Sequence, residues 1–136
     1  MYLLDTNVLS GFRRRNRMDP RLTAWARQVH PSDLFLSAIT ILEVEIGAQQ
    51  MMRRDPVQGK FLRAWIEGYV LAAFERRILP VDAVVAQRCA ALPVPDPKAE
   101  RDALIGATAL VHGMRVVTRN VADFEPMGVG LVNPWG

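Results

Sequence analysis

The sequence predicts an α/β fold, a parallel sheet flanked by helices, built as a single domain over residues 1–136. Three observations lead there. Short apolar runs of strand character alternate with amphipathic segments of ten or more residues, and parallel neighbours need crossover connections of about that length. Half of the 136 residues are apolar, enough to cover one core. No repeat, low-complexity tract or linker interrupts the alternation.

Taken in order, "MYLL" reads as a short buried strand. In "DPRLTAWARQVH", Asp19 is placed as N-cap and Pro20 at the first helical position, with Leu22, Trp25, Ala26 and Val29 on one face and Pro31 ending the helix. "DLFLS" is the second strand, after which Thr40 opens a helix through "ILEVEIGAQQMM". The third helix, "GKFLRAWIEGYVLAAFERR", carries Phe61, Leu62, Trp65, Ile66, Tyr69 and Val70 at helical spacing, the pattern of a core stripe or a homodimer face. These two helices hold more apolar residues than one core-facing stripe needs. Met51, Met52, Trp65 and Tyr69 are therefore left for the core, for a second copy, or for a groove that takes a partner's amphipathic helix. A strand "ILPV", a helix over 82–92 and a proline-rich loop "PVPDP" come next. "AERDALIGATALVHG" is a helix with a glycine stop, "RVVT" a strand, and "GVGLVNP" the last short strand with its exit.

The single cysteine, Cys89, rules out a disulfide framework within the chain and any Cys-rich zinc site, which fits a reducing, cytoplasmic compartment. "MYLLDTN" shows neither a basic leader nor a cleavage site, and no run nears the roughly 20 apolar residues of a membrane span. The expectation is a protein neither exported nor embedded in a membrane. Net charge is only +3, yet Arg13, Arg14, Arg15 and Arg17 crowd into "FRRRNR". That cluster suits phosphate or an acidic partner as well as it suits a solvated surface; the scattered pairs Arg53–Arg54 and Arg76–Arg77 read as solubilising.

In α/β sheets, ligands sit beyond the carboxyl ends of the strands, near the point where strand order reverses. Asp5 closes the first strand, Glu43 lies one turn into the helix after the second, and Asp123 falls in "TRNVADF" after "RVVT". Asp102 occupies the first turn of the "RDALIGATAL" helix and is expected at the same edge. Oxygen ligands gathered without Cys or His suit hard cations such as Mg²⁺ or Mn²⁺. Without one, four like charges would raise each other's pKa. Plainer roles exist: "TILE" matches a capping box for Glu43, Asp102 favours a helix dipole, and Asp123 suits a turn. Asp5, following three apolar strand residues, has none as natural. Glu45 and Glu100, two positions from a candidate, point to nearly the opposite helix face and read as surface. Walker, "HExxH" and "GxSxG" patterns are absent, and His30 and His112 stand at helix ends as caps or surface groups.

"LLDTNVLS", "LSAITILEVEIG", "RDALIGATAL" and "VVTRNVADF", in that order and covering nearly the whole chain, resemble the four signature blocks of the PIN-domain family; "VNPW" is similar to the VapC- and FitB-like toxins. The resemblance implies a Mg²⁺- or Mn²⁺-dependent ribonuclease in which Asp5, Glu43, Asp102 and Asp123 hold the metal and Thr6, Asn7, Ser37 and Asn120 are polar groups around it. It also implies a usual homodimer and an antitoxin that blocks the site. The short, proline-rich "PVPDPKAE" departs from the longer helical stretch of many relatives, which bears on the substrate groove rather than on the chemistry. Independently, ions held by four acids would acidify a water, orient it in line with a phosphodiester and neutralise phosphate, with Thr6 and Asn7 orienting the carboxylates. Arginines would bind the rest of a single-stranded RNA. An aspartyl-nucleophile phosphatase would need a second acid where Asn7 stands. A catalytically silent protein- or nucleic-acid-binding module on the same scaffold is the main alternative.

Overall fold

Five short strands, β1 (Tyr2–Leu4), β2 (Leu34–Ser37), β3 (Ile78–Leu79), β4 (Arg115–Val117) and β5 (Leu131–Val132), form one sheet in the order β3-β2-β1-β4-β5. Every pair is parallel, with Tyr2 opposite Leu34 on one side and Arg115 on the other. The computed structural model describes residues 1–93 and 99–136, so most of the expected "PVPDP" loop lies outside the described residues. The chain builds outward from β1 through β2 to β3, then returns to the far side of β1 for β4 and β5. Strand order therefore reverses between β1 and β4, and a crevice opens beyond their carboxyl ends.

Among the described residues, eight α-helices connect and flank the strands: α1 (Thr6–Gly11), α2 (Pro20–Gln28), α3 (Ala38–Arg54), α4 (Pro56–Trp65), α5 (Leu71–Ala73), α6 (Ala83–Ala90), α7 (Glu100–His112) and α8 (Val121–Phe124). Period-two alternation assigns the sheet's faces. Leu4 and Val117 enter a core with Val8, Leu9, Leu22, Leu36, Val44, Ile66 and Val70. Their strand neighbours Leu3 and Val116 enter the other, with Val85, Ile105, Ala107, Phe124 and Met127. Both faces are thus covered, as parallel strands require.

Local chemistry sets most boundaries. Asp19, Asp55 and Asp82 each accept a backbone N–H of the helix they open, and Pro20 and Pro56 follow the first two. Gly113, at φ 67°, ends α7 in the left-handed conformation. Two expectations need correction. The helix after β2 opens at Ala38, not at Thr40: Ser37 leaves the strand still extended and its hydroxyl takes the N–H of Ile39 at 3.0 Å. Thr40 is consequently inside the helix and fully buried, and "TILE" is no capping box. The third expected helix starts earlier, at Pro56, widens into a π turn over Ile66–Val70 and stops at Ala73. Ile66 and Val70 are core residues, whereas Phe61 is 64% exposed.

Helices α1 and α8 were not expected; each spans less than two turns, too little to display a period. Arg77 is structural rather than solubilising: its guanidinium donates to the carbonyls of Pro31, Leu34 and Ala73 and lies over the Phe74 ring. Glu45 makes a two-toothed pair with Arg63 across α3 and α4, at 3.0 and 2.6 Å. Among the described residues no helix is long and apolar enough to cross a membrane.

Candidate active site

Asp5 stands where β1 becomes α1 and belongs to both. Its N–H still bonds the Val117 carbonyl of β4 at 2.9 Å, while its own carbonyl accepts from Val8 and Leu9 to start the helix. The carboxylate is 4% exposed. One oxygen accepts the Thr6 N–H and the other the Thr118 hydroxyl, both at 2.8 Å. Capping and site chemistry are therefore served by one side chain. Burial pushes the Asp5 carboxyl above its ordinary pKa, the Thr118 and Thr6 hydrogen bonds oppose that, and the charges of Glu43 and Asp123 add to it.

The other three acids arrive from separate elements. Glu43 projects from α3, where its Oε1 accepts the Thr6 hydroxyl at 2.7 Å and its Oε2 lies 4.0 Å from an Arg101 guanidinium nitrogen. Asp102, in the first turn of α7, is pushed up to about 6, first by burial and then by the charges of Asp5, Asp123 and Glu43. Asp123 is exposed on α8, its N–H bonded to the Asn120 carbonyl at 3.1 Å. Asp5 thus feels the charges of Glu43 and Asp123, and Asp102 those of the other three, at the edge where strand order reverses. Among the described residues, no three His, Cys, Asp or Glu side chains close into a ready metal shell. The set is an open one.

Of the polar neighbours, Thr6 ties Asp5 to Glu43, and Asn7 has a buried Oδ1 with no hydrogen-bond partner among the described residues. Buried polar atoms without partners are rare, and this one belongs to the residue two after Asp5 in the chain, so its oxygen is available as a further hard donor. An all-oxygen set in which Asp5 and Asp102 are pushed up by burial and by neighbouring carboxylates, with an unsatisfied amide oxygen in the same chain segment, fits a hard divalent cation. Ser37 is fully buried, and its hydroxyl caps α3 and so supports Glu43 through the helix. Asn120 is exposed and contributes its backbone, donating its N–H to Thr118 Oγ1 at 2.9 Å. Thr118 itself was not singled out in the sequence. The signal was available: a polar residue closing the buried strand "RVVT" repeats the pattern that marks Asp5.

Arg13, Arg14 and Arg17 follow α1 and line a cleft of about 700 Å³; the side chain of Arg15 lies outside the described part of the structure. A smaller cleft of about 260 Å³, lined by Thr6, Glu43, Arg13, Arg14 and Trp65 among others, adjoins the acids. Trp65 and Tyr69 line the larger cleft; Met51 and Met52 do not, being half-buried where α3 meets α4.

Comparison with known proteins gives a consistent result. A family profile described as PIN domain matches residues 2–125. VapC ribonuclease Y4jK of Sinorhizobium fredii is 34% identical over 143 aligned residues, covering 99% of this chain and 98% of that protein. The crystal structure of FitAcB from Neisseria gonorrhoeae superposes with a TM-score of 0.88 at 34% identity, covering 99% of each chain. A structure titled toxin-antitoxin complex from Klebsiella pneumoniae superposes at 0.67 and 26% identity, covering 98% of each chain.

Proposed function

The chain belongs to the PIN-domain family, and from that premise we propose that it is a Mg²⁺- or Mn²⁺-dependent endoribonuclease that serves as the toxin of a toxin–antitoxin pair. The observation that carries the reading is the meeting of Asp5, Glu43, Asp102 and Asp123, from four separate elements, at one edge of the sheet. Such a gathering costs stability in the folded chain, so it calls for a cation. Asp5, Glu43, Asp102 and Asp123 would hold that cation with Asn7 beside them; when bound, it supplies the acidity that ionises a water and the charge that offsets the build-up on phosphate.

The chain's own contribution is placement. Thr118 and the Thr6 N–H fix the two Asp5 oxygens, and the Thr6 hydroxyl fixes Glu43, so two carboxylates hold their directions before any ligand arrives. The ribonuclease name of the Sinorhizobium relative and the toxin-antitoxin title of the Klebsiella structure support RNA as substrate and a cognate antitoxin as partner. A cytoplasmic setting with one PIN domain over residues 1–136, working as a homodimer, belongs to the same proposal.

The experiment is incubation of purified protein with single-stranded RNA in Mn²⁺, then in excess EDTA. Cleavage that appears with the metal and disappears with the chelator is expected. RNA left intact under both conditions would favour the silent binding module.

A further inference from the structure

We infer that the cleft floored by Phe61, Trp65 and Tyr69 and rimmed by Arg13, Arg14 and Arg17 is a binding site for single-stranded RNA, taking the nucleotides on one side of the phosphate presented to the four acids. The inference rests on the nuclease reading and adds to it a substrate path and a means of recognition.

Continuity comes first. The large and small clefts share Arg13, Arg14 and Trp65, and the small one reaches Thr6 and Glu43. A strand with a phosphate at the acids therefore has one lined channel leading away from it. Charge comes second. Among the described residues, Arg13, Arg14 and Arg17 make no ion pair with any carboxylate, while other arginines of the chain do. Burial and the neighbouring Arg14 charge press the Arg13 guanidinium below its ordinary value, so these cations are crowded without an anion of their own. Arginine's planar fork suits phosphate oxygens, and a backbone of regularly spaced phosphates would meet several at once.

The aromatic floor decides what kind of anion. Phe61 is 64% exposed, an unusual state for a phenylalanine on a helix that has a core to pack against. Trp65 and Tyr69 stand edge to face with ring centres 6.2 Å apart, so they brace each other beside the arginines. Cations that track a backbone beside aromatic faces that take bases are the parts of a single-strand binding site. Asn16 and Gln58, which also line the cleft, can meet base edges with either donors or acceptors. A duplex cannot use these rings, because its bases are already stacked and paired. A protein helix would leave the arginines unpaired unless it were acidic along its length.

The test is fluorescence anisotropy of a short labelled single-stranded RNA of mixed sequence, titrated with the whole protein in EDTA over a range of salt. The chelator prevents cleavage, so binding is scored apart from nuclease activity. Arg14→Gln and Arg17→Gln should each weaken binding and flatten the plot of log Kd against log salt by about 0.7. Phe61→Ala, at an exposed site that folding does not need, should weaken binding about tenfold at every salt with the slope unchanged, and Phe61→Tyr should restore it. Unlabelled duplex should compete poorly. Wild-type affinity in Phe61→Ala with unaltered slopes in the arginine variants would overturn the inference, as would a duplex that competes equally. Variants that bind RNA as wild type does but no longer retain a co-expressed antitoxin would assign the cleft to that protein instead. In either overturning case, Mn²⁺-dependent cleavage by the wild type would leave the nuclease reading standing; binding through the cleft without any cleavage would uphold the cleft and sink the nuclease.

Discussion

Asp5 caps α1 with one carboxylate oxygen while the other takes a hydroxyl from the far side of the strand-order reversal. Thr118→Val should keep the fold, leave that oxygen unsupported, and reduce kcat/KM for RNA on the order of 10-fold, the usual cost of losing an outer partner of a metal ligand. The acid limb of the pH–rate profile should also move upward, because Thr118 holds the Asp5 carboxyl down. A variant with wild-type rate and profile would show that Thr118 only packs. Asp102 permits a stability test. Its carboxyl rises from 3.8 to about 6 on folding, so between those values the folded chain binds a proton that the unfolded chain has released. Stability of the metal-free protein must then fall as pH rises through that window. Asp102→Asn should flatten this slope, leaving the part that Asp5 contributes, raise the metal-free Tm near neutral pH, and stabilise the metal-free protein there by on the order of 1 kcal/mol after allowance for solvent. A thermal melt series across pH, wild type against variant, measures it. The four candidate acids stand out in the sequence because each interrupts or borders an apolar element. Thr118 does so less readily, because threonine is at home in strands. The exposed Asn120 matched a motif, yet it acts here through its backbone.

Among the elements, the contact of α3 with α4 is close because a glycine stands at it. A Cβ on Gly59 would lie 2.6 Å from Met52 Cα, a backbone atom that cannot swing aside. Gly59→Ala should therefore force the two helices apart and destabilise the protein by about 1–3 kcal/mol, despite alanine's better helix propensity. Urea unfolding should show a lower midpoint at unchanged m; a midpoint at or above that of wild type would mean that the helices separate freely. The strands and the long helices were readable from periodicity, from Asp caps and from Pro20, Pro31 and Gly113. The start of α3 was not. A serine that ends a strand and caps the next helix carries the same letters as one that merely ends a strand, and "TILE" offered a competing cap three residues later. The π turn at Ile66–Val70 was hidden for a related reason, since inserting one residue per turn leaves apolar residues facing the core.

At the scale of the whole molecule, the order β3-β2-β1-β4-β5 is what carries four acids distant in sequence to one edge of the sheet, where the proposed site lies. Asp5 and Thr118 close the two strands that flank the reversal, and α3, α7 and α8 bring Glu43, Asp102 and Asp123 to the same edge. The parallel class followed from alternation alone, but strand order did not, because apolar strands of two to four residues carry no record of which neighbour they pair with. If the site is a nuclease, expression of the chain alone should arrest growth, and a co-expressed small partner encoded beside it should restore growth. An arrest that persists in Asp5→Asn would place the toxicity elsewhere. The most direct measurement compares RNA cleavage by wild type and Asp5→Asn in Mn²⁺, with circular dichroism and Tm confirming that both are folded. The account predicts that the variant loses more than about 100-fold in rate, beyond what an outer partner contributes. Cleavage by Asp5→Asn at the wild-type rate would contradict it.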